Sequence, residues 1–429
     1  MSSQLFRIQE HILPGQHIRH YPHSTANSQE EIINFVVKQY TPLENIHPRP
    51  GDVTIIGAHA NGFPKELYEP LWEDILTRSK QYGLSIRNIW IADFAFQGQS
   101  GVVNEGKLGN DPSWYDHARD LLLMINHFRS EMPRPIVGIG HSMGGNNLVF
   151  LSLMHPRLLE TLILIDPIVQ RFASVQGNFV PSQASSRRRD RWPSRAAAAA
   201  AFRKSAFYQK WDSRVLDRWI EHGLRELPTA LYTDDKGPPS STPEGTAVDS
   251  AEIPKEVTLK TTKHMEVFTF MRPNWDPVPN RKTHADAASP YNSNWPFYRP
   301  EPSITFAQIP NLRPSVLYIF GTESTVSSGP FRADKLANTG IGVGGSGGVK
   351  EGNVKELMIQ AGHLIPMEAV KQTAESCLEW LSERVGKTWR DEEAREAEEW
   401  ARLSSREKST MSEEYLRKLQ GAKLDKPKL

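Results

Sequence analysis

Short, largely apolar runs alternate with amphipathic stretches through residues 1–167. Strands that are apolar on both sides are typical of a parallel sheet, because the helical crossovers between such strands cover both faces. The pattern therefore predicts an α/β fold with a mainly parallel sheet flanked by helices. The predicted strands are 53–57, 86–91, 135–139 and 162–165, and the predicted helices are 69–82, 114–128 and 146–154.

The alternation stops after Pro167 and resumes near residue 307, with strands predicted at 315–320 and 354–359 and a helix over 367–385. Two halves of one sheet therefore flank an insertion, and a charge-rich segment follows the second half. The predicted divisions are a core over 1–167 and 307–388, a lid or cap insertion over 168–306, and a charged helical tail over 389–429.

The insertion has a composition of its own. A basic stretch at 185–191 precedes six alanines at 196–201, and alanine is the strongest helix former, so helices are predicted over 196–222. Residues 234–254 are predicted to form an irregular loop. Aromatic residues of the insertion are candidates for the wall of an apolar pocket or for the insertion's own core: Phe202, Phe207, Trp211, Trp219, Phe268 and Phe270.

Charge and cysteine content narrow the class of protein. Lys and Arg total 51 against 50 Asp and Glu, and this net charge of +1 lacks the basic surplus of a general nucleic-acid binder. The single cysteine, Cys377, excludes an internal disulfide framework and multi-cysteine metal sites. Residues 1–10 lack the pattern of a secretory signal. Since no stretch approaches about 18 uninterrupted apolar residues, no membrane span is predicted and we expect a soluble protein.

The motif Gly140-His141-Ser142-Met143-Gly144 lies between a predicted strand and a predicted helix. A G-x-S-x-G motif in that context is typical of a nucleophile elbow, in which a strained turn lifts the serine hydroxyl clear of the backbone. Ser142 is therefore the candidate nucleophile. His141 is interpreted as structural, because the side chain before an elbow serine packs into the turn.

A serine nucleophile needs a general base, which follows the serine in the usual chain order of elbow enzymes. His363 comes after the predicted strand 354–359 and before a predicted helix, and Gly362 allows the loop to turn sharply. A loop at that place reaches back over the sheet. His363 is therefore the candidate base.

Ser142 and His363 on a sheet of this order resemble the α/β-hydrolase superfamily over about residues 52–385. The resemblance implies that the insertion is a helical lid that follows the sixth strand of the sheet. It also implies that Asp93, in a turn with Gly98-x-Ser100, is structural.

The segment from His59 to Phe63, after the third strand, is similar to the oxyanion loop of the superfamily. The resemblance implies that the backbone N–H of Phe63 or Gly62 holds the developing oxyanion together with the N–H of Met143. A plain turn around residue 61 is the alternative interpretation.

The acid of the triad departs from the superfamily pattern. The acid usually stands three residues after the glycine that ends the seventh strand, where this chain has Ser324, with Glu323 one residue earlier. Asp166, at the end of the sixth strand, occupies a place that some lipases of the superfamily use. One carboxylate suffices to orient the base, so Asp166 and Glu323 both stay open.

No cofactor and no metal are predicted. Residues 340–345 satisfy G-x-G-x-x-G, but no strand precedes them and no clear helix follows, so the dinucleotide motif lacks its context. The serine at the elbow argues against epoxide hydrolases and haloalkane dehalogenases, whose nucleophile is a carboxylate.

The last three residues, Pro427-Lys428-Leu429, resemble the Ser-Lys-Leu peroxisomal address, with proline in place of a small residue. Together with 59–68 and 140–145, they make the chain similar to fungal peroxisomal α/β-hydrolases. That group includes a yeast peroxisomal lipase and the hydrolases of host-selective, epoxy-decatrienoic-acid toxin biosynthesis. The resemblance implies a peroxisomal import receptor as a partner and a peroxisomal location, with the cytoplasm as the alternative.

The sequence thus predicts a Ser–His–acid hydrolase of small-molecule acyl esters or thioesters. The resemblance adds that the acyl group belongs to a fatty-acid-derived secondary metabolite such as a toxin. Two alternatives remain: a catalytically idle hydrolase fold that binds a lipid or a partner through its lid, and a C–C hydrolase or lyase that uses the same triad.

Overall fold

The chain folds around one large sheet, seen in a computed structural model that describes residues 2–172, 175–233, 255–273 and 297–421. The strands of the described residues are β1 (Phe6–Pro14), β2 (Asn34–Pro42), β3 (Val53–Ala58), β4 (Ile86–Ala92), β5 (Ile136–His141), β6 (Thr161–Ile165), β7 (Arg191–Trp192), β8 (Leu224–Glu226), β9 (Val257–Leu259), β10 (Arg272–Pro273), β11 (Phe297–Tyr298), β12 (Ser315–Gly321) and β13 (Val354–Ile359).

Eight of these strands form the large sheet, in the order β1-β2-β4-β3-β5-β6-β12-β13. The pairs β1–β2 and β2–β4 are antiparallel, and every other pair of neighbours in the sheet is parallel. All six predicted strands lie in the parallel part, with bounds that differ by two residues at most. The predicted fold class is confirmed.

Helices cover both faces of the sheet. Neighbouring residues of a strand point to opposite faces, so Ile55 packs with one layer of helices and Ile56 with the other. The α-helices of the described residues are α1 (Ser2–Leu5), α2 (Glu69–Ser79), α3 (Gly98–Val103), α4 (Trp114–His127), α5 (Met143–Met154), α6 (Val180–Arg187), α7 (Arg195–Lys204), α8 (Ser213–His222), α9 (Lys263–Phe270), α10 (Glu301–Gln308), α11 (Gly329–Asn338), α12 (Ile365–Glu368), α13 (Val370–Leu381), α14 (Arg390–Ala401) and α15 (Glu413–Gly421), and a π-helix (Ser382–Trp389) joins α13 to α14.

The layers are α2 and α13 on the first face and α4, α5 and α10 on the second. Leu71 of α2 and Leu378 of α13 share a buried cluster with Ile55. Leu121 of α4, Leu148 of α5 and Phe306 of α10 lie in the cluster on the other face. Helices enclose both faces of the parallel strands. The carboxyl ends of these strands all lie at one edge of the sheet, and ligands bind at this edge in open α/β sheets.

The insertion between β6 and β12 holds short strands as well as the predicted helices. Strands β7, β9 and β8 form a small antiparallel sheet beside α7 and α8, and β10 pairs with β11. Its last helix, α10, packs on α5, where Thr305 Oγ1 donates to Asn146 Oδ1 at 3.1 Å. The predicted irregular loop 234–254 lies outside the described residues.

The charged tail forms α14 and α15, and neither helix buries a residue. Within the described residues, no helix is long and apolar enough to cross a membrane. The predicted targeting residues Pro427, Lys428 and Leu429 lie outside the described residues.

Candidate active site

Ser142 lies at the tight turn between β5 and α5. Its φ of 55° and ψ of −115° are sterically unfavourable for a residue with a side chain. A Cβ on Gly140 would lie 2.8 Å from the carbonyl oxygen of Gly144, and one on Gly144 would lie 2.1 Å from that of Ala58, so both positions require glycine. The turn has the geometry of a nucleophile elbow.

Ser142, His363 and Asp166 form a continuous chain of hydrogen bonds. Ser142 Oγ lies 2.8 Å from His363 Nε2, and His363 Nδ1 lies 2.6 Å from Asp166 Oδ2. Because the carboxylate accepts, His363 carries its proton on Nδ1 and leaves Nε2 free to receive the serine proton. The fold therefore brings the predicted nucleophile and the predicted base together with one of the two candidate acids.

Asp166, rather than Glu323, is the carboxylate at His363. Asp166 is fully buried at the end of β6, whereas the side chain of Glu323 is 54% exposed and faces Lys210 at 3.5 Å. Burial alone raises the pKa of Asp166, but the hydrogen bonds from His363 and Ser324 help to outweigh burial and hold that pKa below its ordinary value. The buried carboxylate is therefore ionised.

The turn after β3, residues 59–63, is named the oxyanion turn after the loop that it resembles, and its Gly62 and Phe63 amides are already engaged. Gly62 N–H donates to Gln97 Oε1 at 2.9 Å, and Phe63 N–H donates to Ala60 O at 3.3 Å. The geometry therefore does not support either predicted donor. The amides of Asn61 and Met143, in contrast, make no hydrogen bond within the part of the chain that the structure describes. The turn after β3 and the start of α5 therefore each leave one N–H group that can bind a ligand.

His59 lies behind the turn rather than facing a ligand. Its Nδ1 donates to Ala60 O at 2.8 Å and its Nε2 accepts from Phe94 N–H at 3.2 Å, so both ring nitrogens are engaged. Burial lowers the pKa of His59 and keeps the ring neutral. The residue shapes the backbone of the turn.

Asp93 is a structural carboxylate, as the sequence predicts. It accepts from Lys65 Nζ at 2.7 Å and from Gln99 N–H at 2.8 Å in a fully buried position. A Cβ on Gly98, whose φ is +53°, would lie 2.4 Å from the carboxylate carbon. The aspartate thus fixes the turn that carries Gln97.

Helix α9 of the insertion holds the oxyanion turn from the other side. Asn61 Nδ2 donates to Glu266 O at 3.0 Å, and Gln97 Nε2 donates to Asn61 Oδ1 at 2.5 Å and to Thr269 Oγ1 at 3.2 Å. The Glu266 carboxylate pairs with Arg188 at 2.8 Å. These contacts join residues far apart in sequence, and no local sequence motif predicts them.

Beside the polar groups of the hydrogen-bond chain, apolar side chains lie next to Ser142. Met143 packs in a buried cluster with Phe94, Ile168 and Val326, and Met265 of α9 packs against that cluster. Ser142 itself is only 7% exposed. The nucleophile therefore faces surroundings suited to an apolar substrate group.

Three aromatic residues of the insertion are buried near the oxyanion turn. Phe202, Trp211 and Trp219 are buried, and the ring of Phe63 lies 5.7 Å from that of Trp211 and 6.1 Å from that of Trp219. Phe207 is 52% exposed. Three of the six candidate pocket residues therefore lie in a buried cluster that is continuous with the core on the first face of the large sheet.

A model of the Alpha/beta hydrolase family matches residues 55–376. The match spans the elbow, the turn after β3, the insertion and the histidine loop, so the chain belongs to the Alpha/beta hydrolase family and is a hydrolase.

Individual relatives are fungal. The chain is 46% identical over 400 residues to a type I acyl-CoA thioesterase, mpaH', of Penicillium brevicompactum, covering 90% of this chain and 89% of the relative. It is 26% identical over 290 residues to the abhydrolase domain-containing protein AKT2 of Alternaria alternata, covering 67% of this chain and 99% of the relative.

The fold is similar to that of the peroxisomal alpha-beta-hydrolase Lpx1 of Saccharomyces cerevisiae, with a TM-score of 0.66 and 18% identity over 94% of this chain and 99% of that chain. The predicted resemblance to fungal α/β-hydrolases is confirmed.

Proposed function

We propose that the protein is a serine hydrolase that cleaves acyl-CoA thioesters through Ser142, His363 and Asp166. The observation that carries the proposal is the unbroken chain of hydrogen bonds, 2.8 Å and 2.6 Å long, from Ser142 Oγ through the imidazole of His363 to the buried carboxylate. The thioester class is supported by the relative named an acyl-CoA thioesterase at 46% identity. The apolar side chains beside the nucleophile suit an acyl chain.

Acylation begins when Ser142 Oγ attacks the thioester carbonyl while His363 Nε2 takes the hydroxyl proton. Asp166 stabilises the imidazolium that forms. The tetrahedral intermediate collapses, the carbon–sulfur bond breaks, and the thiolate of coenzyme A takes the proton from His363. The products of this half-reaction are free coenzyme A and an acyl ester of Ser142.

Deacylation repeats the sequence with water. His363 Nε2 removes a proton from water, the hydroxide attacks the acyl ester, and the proton passes to the departing Ser142 oxygen. A carboxylic acid leaves. In both half-reactions the oxyanion is held by the amides of Asn61 and Met143, because the other amides of the turn are already engaged.

Two assays test the proposal. A fluorophosphonate probe should label the wild-type protein and not Ser142→Ala, and a chromogenic disulfide should report free thiol from acyl-CoA with the wild type alone. Ser152→Ala is the matched control, since Ser152 is a buried serine on α5, the helix that follows Ser142. Equal turnover by Ser142→Ala would contradict the proposal.

The same assays separate the other chemistries. Hydrolysis of p-nitrophenyl esters without thiol release from acyl-CoA identifies an oxygen-ester hydrolase. Probe labelling with neither activity directs the search to C–C bond substrates. A folded protein that the probe does not label is the idle binding fold.

For the acyl group we propose a fatty-acid-derived fungal secondary metabolite, because of the resemblance to hydrolases of toxin biosynthesis. Incubation of Ser142→Ala with a fungal metabolite extract, followed by mass spectrometry of the retained molecules, tests this class. Retention of ordinary membrane-lipid fatty acids alone would contradict it.

For the location we propose the peroxisome, on the basis of Pro427-Lys428-Leu429. Import receptors recognise such a tripeptide when it is a free carboxyl end. A fluorescent protein that ends in residues 404–429 should enter peroxisomes, and the same reporter without Leu429 should not. A diffuse cytosolic signal from the full reporter would favour the cytoplasm.

A further inference from the structure

A second chain of hydrogen bonds runs beneath the proposed triad. Ala60 N–H lies 2.9 Å from Tyr68 Oη, Tyr68 Oη lies 2.8 Å from His141 Nδ1, and His141 Nε2 lies 2.9 Å from the carbonyl oxygen of His363. Its two ends are the oxyanion turn and the backbone of the candidate base. Both ring nitrogens of His141 are engaged within this chain of bonds, and the ring itself lies 5.3 Å from the ring of His363.

The direction of every proton in this chain is fixed. A carbonyl oxygen only accepts, so His141 carries its proton on Nε2 and donates to His363. The Nδ1 of the neutral ring is then an acceptor, so the Tyr68 hydroxyl donates to it. The remaining lone pair of Tyr68 Oη accepts from Ala60 N–H. One arrangement satisfies all three bonds.

The chain is closed to water. Tyr68 is 2% exposed, His141 1% and Ala60 2%, so no solvent molecule replaces a lost partner from the surface. Burial, with a smaller effect of the nearby His363 in the same direction, lowers the pKa of His141 to about 3. The ring therefore stays neutral and keeps its tautomer over the working range of a hydrolase.

We propose that Tyr68 and His141 are positioning residues that hold the oxyanion turn and the loop of the base at a fixed separation. The backbone of His141 directly precedes Ser142. The side chain of His141 therefore ties the position of the nucleophile to the loop of the base and, through Tyr68, to the oxyanion turn. This inference rests on the proposed function, since the geometry that it protects is that of the serine hydrolase.

Three variants separate the bonds. Tyr68→Phe removes both bonds of the hydroxyl. His141→Asn places its amide where Nδ1 stood and loses the bond to the carbonyl of His363. His141→Gln reaches the place of Nε2 and keeps a donor for that carbonyl. Tyr318→Phe is the matched control, because its hydroxyl is equally buried and bonds Thr339 Oγ1 at 2.8 Å, away from the site.

Small displacements of reacting groups cost up to about 100-fold in rate. We expect Tyr68→Phe and His141→Asn to lower kcat about 10- to 100-fold with KM within about threefold of wild type, because the groups that act in the transition state lose their alignment. His141→Gln should recover most of the loss of His141→Asn, and Tyr318→Phe should leave kcat unchanged.

The outcomes distinguish the two proposals. If Ser142→Ala abolishes turnover while Tyr68→Phe and His141→Asn keep wild-type kcat, the positioning role is overturned and the proposed function stands. Equal loss in His141→Gln and His141→Asn also overturns it. If folded wild-type protein neither reacts with the probe nor releases thiol, the proposed function itself fails.

A measurement on the wild-type protein keeps the inference testable if a variant does not fold. In a spectrum of protein with ¹⁵N-labelled histidine, one neutral ring should carry its proton on Nε2 and keep that form on acidification from pH 8 to pH 5. The signal should vanish in His141→Gln. Finding that ring protonated on Nδ1, or charged at pH 7, would overturn the inference.

Discussion

The hydroxyl of Ser324 donates to Oδ2 of Asp166 at 2.5 Å, the same oxygen that accepts the Nδ1 proton of His363 at 2.6 Å. Ser324 stands where the superfamily pattern places the acid. In this chain the carboxylate instead comes from the end of β6, and the serine at the former place of the acid supports it. Ser324 and His363 thus converge on one carboxylate oxygen of Asp166.

Replacing Ser324 with alanine should therefore weaken the acid without removing it. A hydrogen bond to a charged group contributes about 1.5–3 kcal/mol. The bond from His363 to the same oxygen remains in Ser324→Ala, so the carboxylate keeps part of its stabilisation. We expect kcat/KM to fall about tenfold, equivalent to about 1.4 kcal/mol. Steady-state kinetics with an acyl-CoA substrate measure the loss.

Ser328→Ala is the control for that loop, because Ser328 is exposed at the start of α11 and its side chain makes no cap hydrogen bond. It should retain wild-type kinetics. An unchanged kcat/KM in Ser324→Ala would show that the bond to Asp166 does not contribute to the reaction.

The choice between the two candidate acids has a sharp kinetic consequence. Asp166→Asn keeps the shape of the side chain but favours the wrong tautomer of His363, which costs about 10⁴-fold in turnover in the serine protease template. We expect a loss of that order. The kcat of Glu323→Gln should stay within about twofold of the wild-type value, since the carboxylate of Glu323 forms a solvent-exposed ion pair with Lys210. The reverse ranking in steady-state kcat would return the role of acid to Glu323.

Gln97 should be essential to the oxyanion turn. Its fully buried amide accepts from Gly62 N–H and donates to Asn61 Oδ1 and Thr269 Oγ1. Gln97→Leu leaves Gly62 N–H and Asn61 Oδ1 without these partners and leaves Asn61 Nδ2 to Glu266 O as the remaining hydrogen bond from Asn61 to α9. We therefore expect kcat to fall about 10- to 100-fold with a smaller change in KM. Stopped-flow acylation and steady-state assays measure the effect.

Gln99→Leu provides the comparison on the same helix turn. The side chain of Gln99 is half-buried and makes no hydrogen bond within the described ranges of the chain, and its backbone N–H to Asp93 survives the substitution. This variant should match wild type. Equal losses in the two variants would indicate general damage to α3 rather than loss of the amide contacts.

The parallel strands were predictable because each is enclosed by helices and so reads as an apolar run. Strands β1 and β2 were not predicted. Residues of β1 alternate between buried and exposed at the edge of the sheet, as in Phe6, Arg7 and Ile8, and such a strand gives no apolar run. The two- and three-residue strands of the insertion are too short to leave any pattern.

In the candidate site, local motifs located Ser142 through the glycines of its tight turn, and His363 through its place after a strand and before a helix. Asp166 was one of two alternatives, since only the fold decides which carboxylate faces the imidazole. Gln97 and Tyr68 were missed. Their roles depend on contacts across the sheet and with the insertion, which no spacing along the chain expresses.

The buried ring of His141 also predicts how stability changes with pH. The pKa of His141 is about 3 in the folded protein, against an ordinary value of 6.5, mainly because of burial, with His363, Asp166 and His59 as its charged or titratable neighbours. Below pH 6.5 the unfolded chain therefore binds a proton that the folded chain refuses. Its contribution to stability is complete above pH 6.5 and is lost as the pH falls toward 3.

Between pH 7 and pH 4.5, the imidazole of His141 should lower the unfolding free energy of the wild type by about 2–3 kcal/mol. His141→Gln lacks the imidazole and should not show this loss. Asp116→Asn is the control of opposite sign. Burial raises the pKa of Asp116 to about 7, so its contribution is present at low pH and is lost as the pH rises. Urea denaturation at the two pH values should thus show a flatter dependence for His141→Gln and a steeper acid loss for Asp116→Asn. A curve for His141→Gln parallel to that of wild type would contradict a neutral, buried His141.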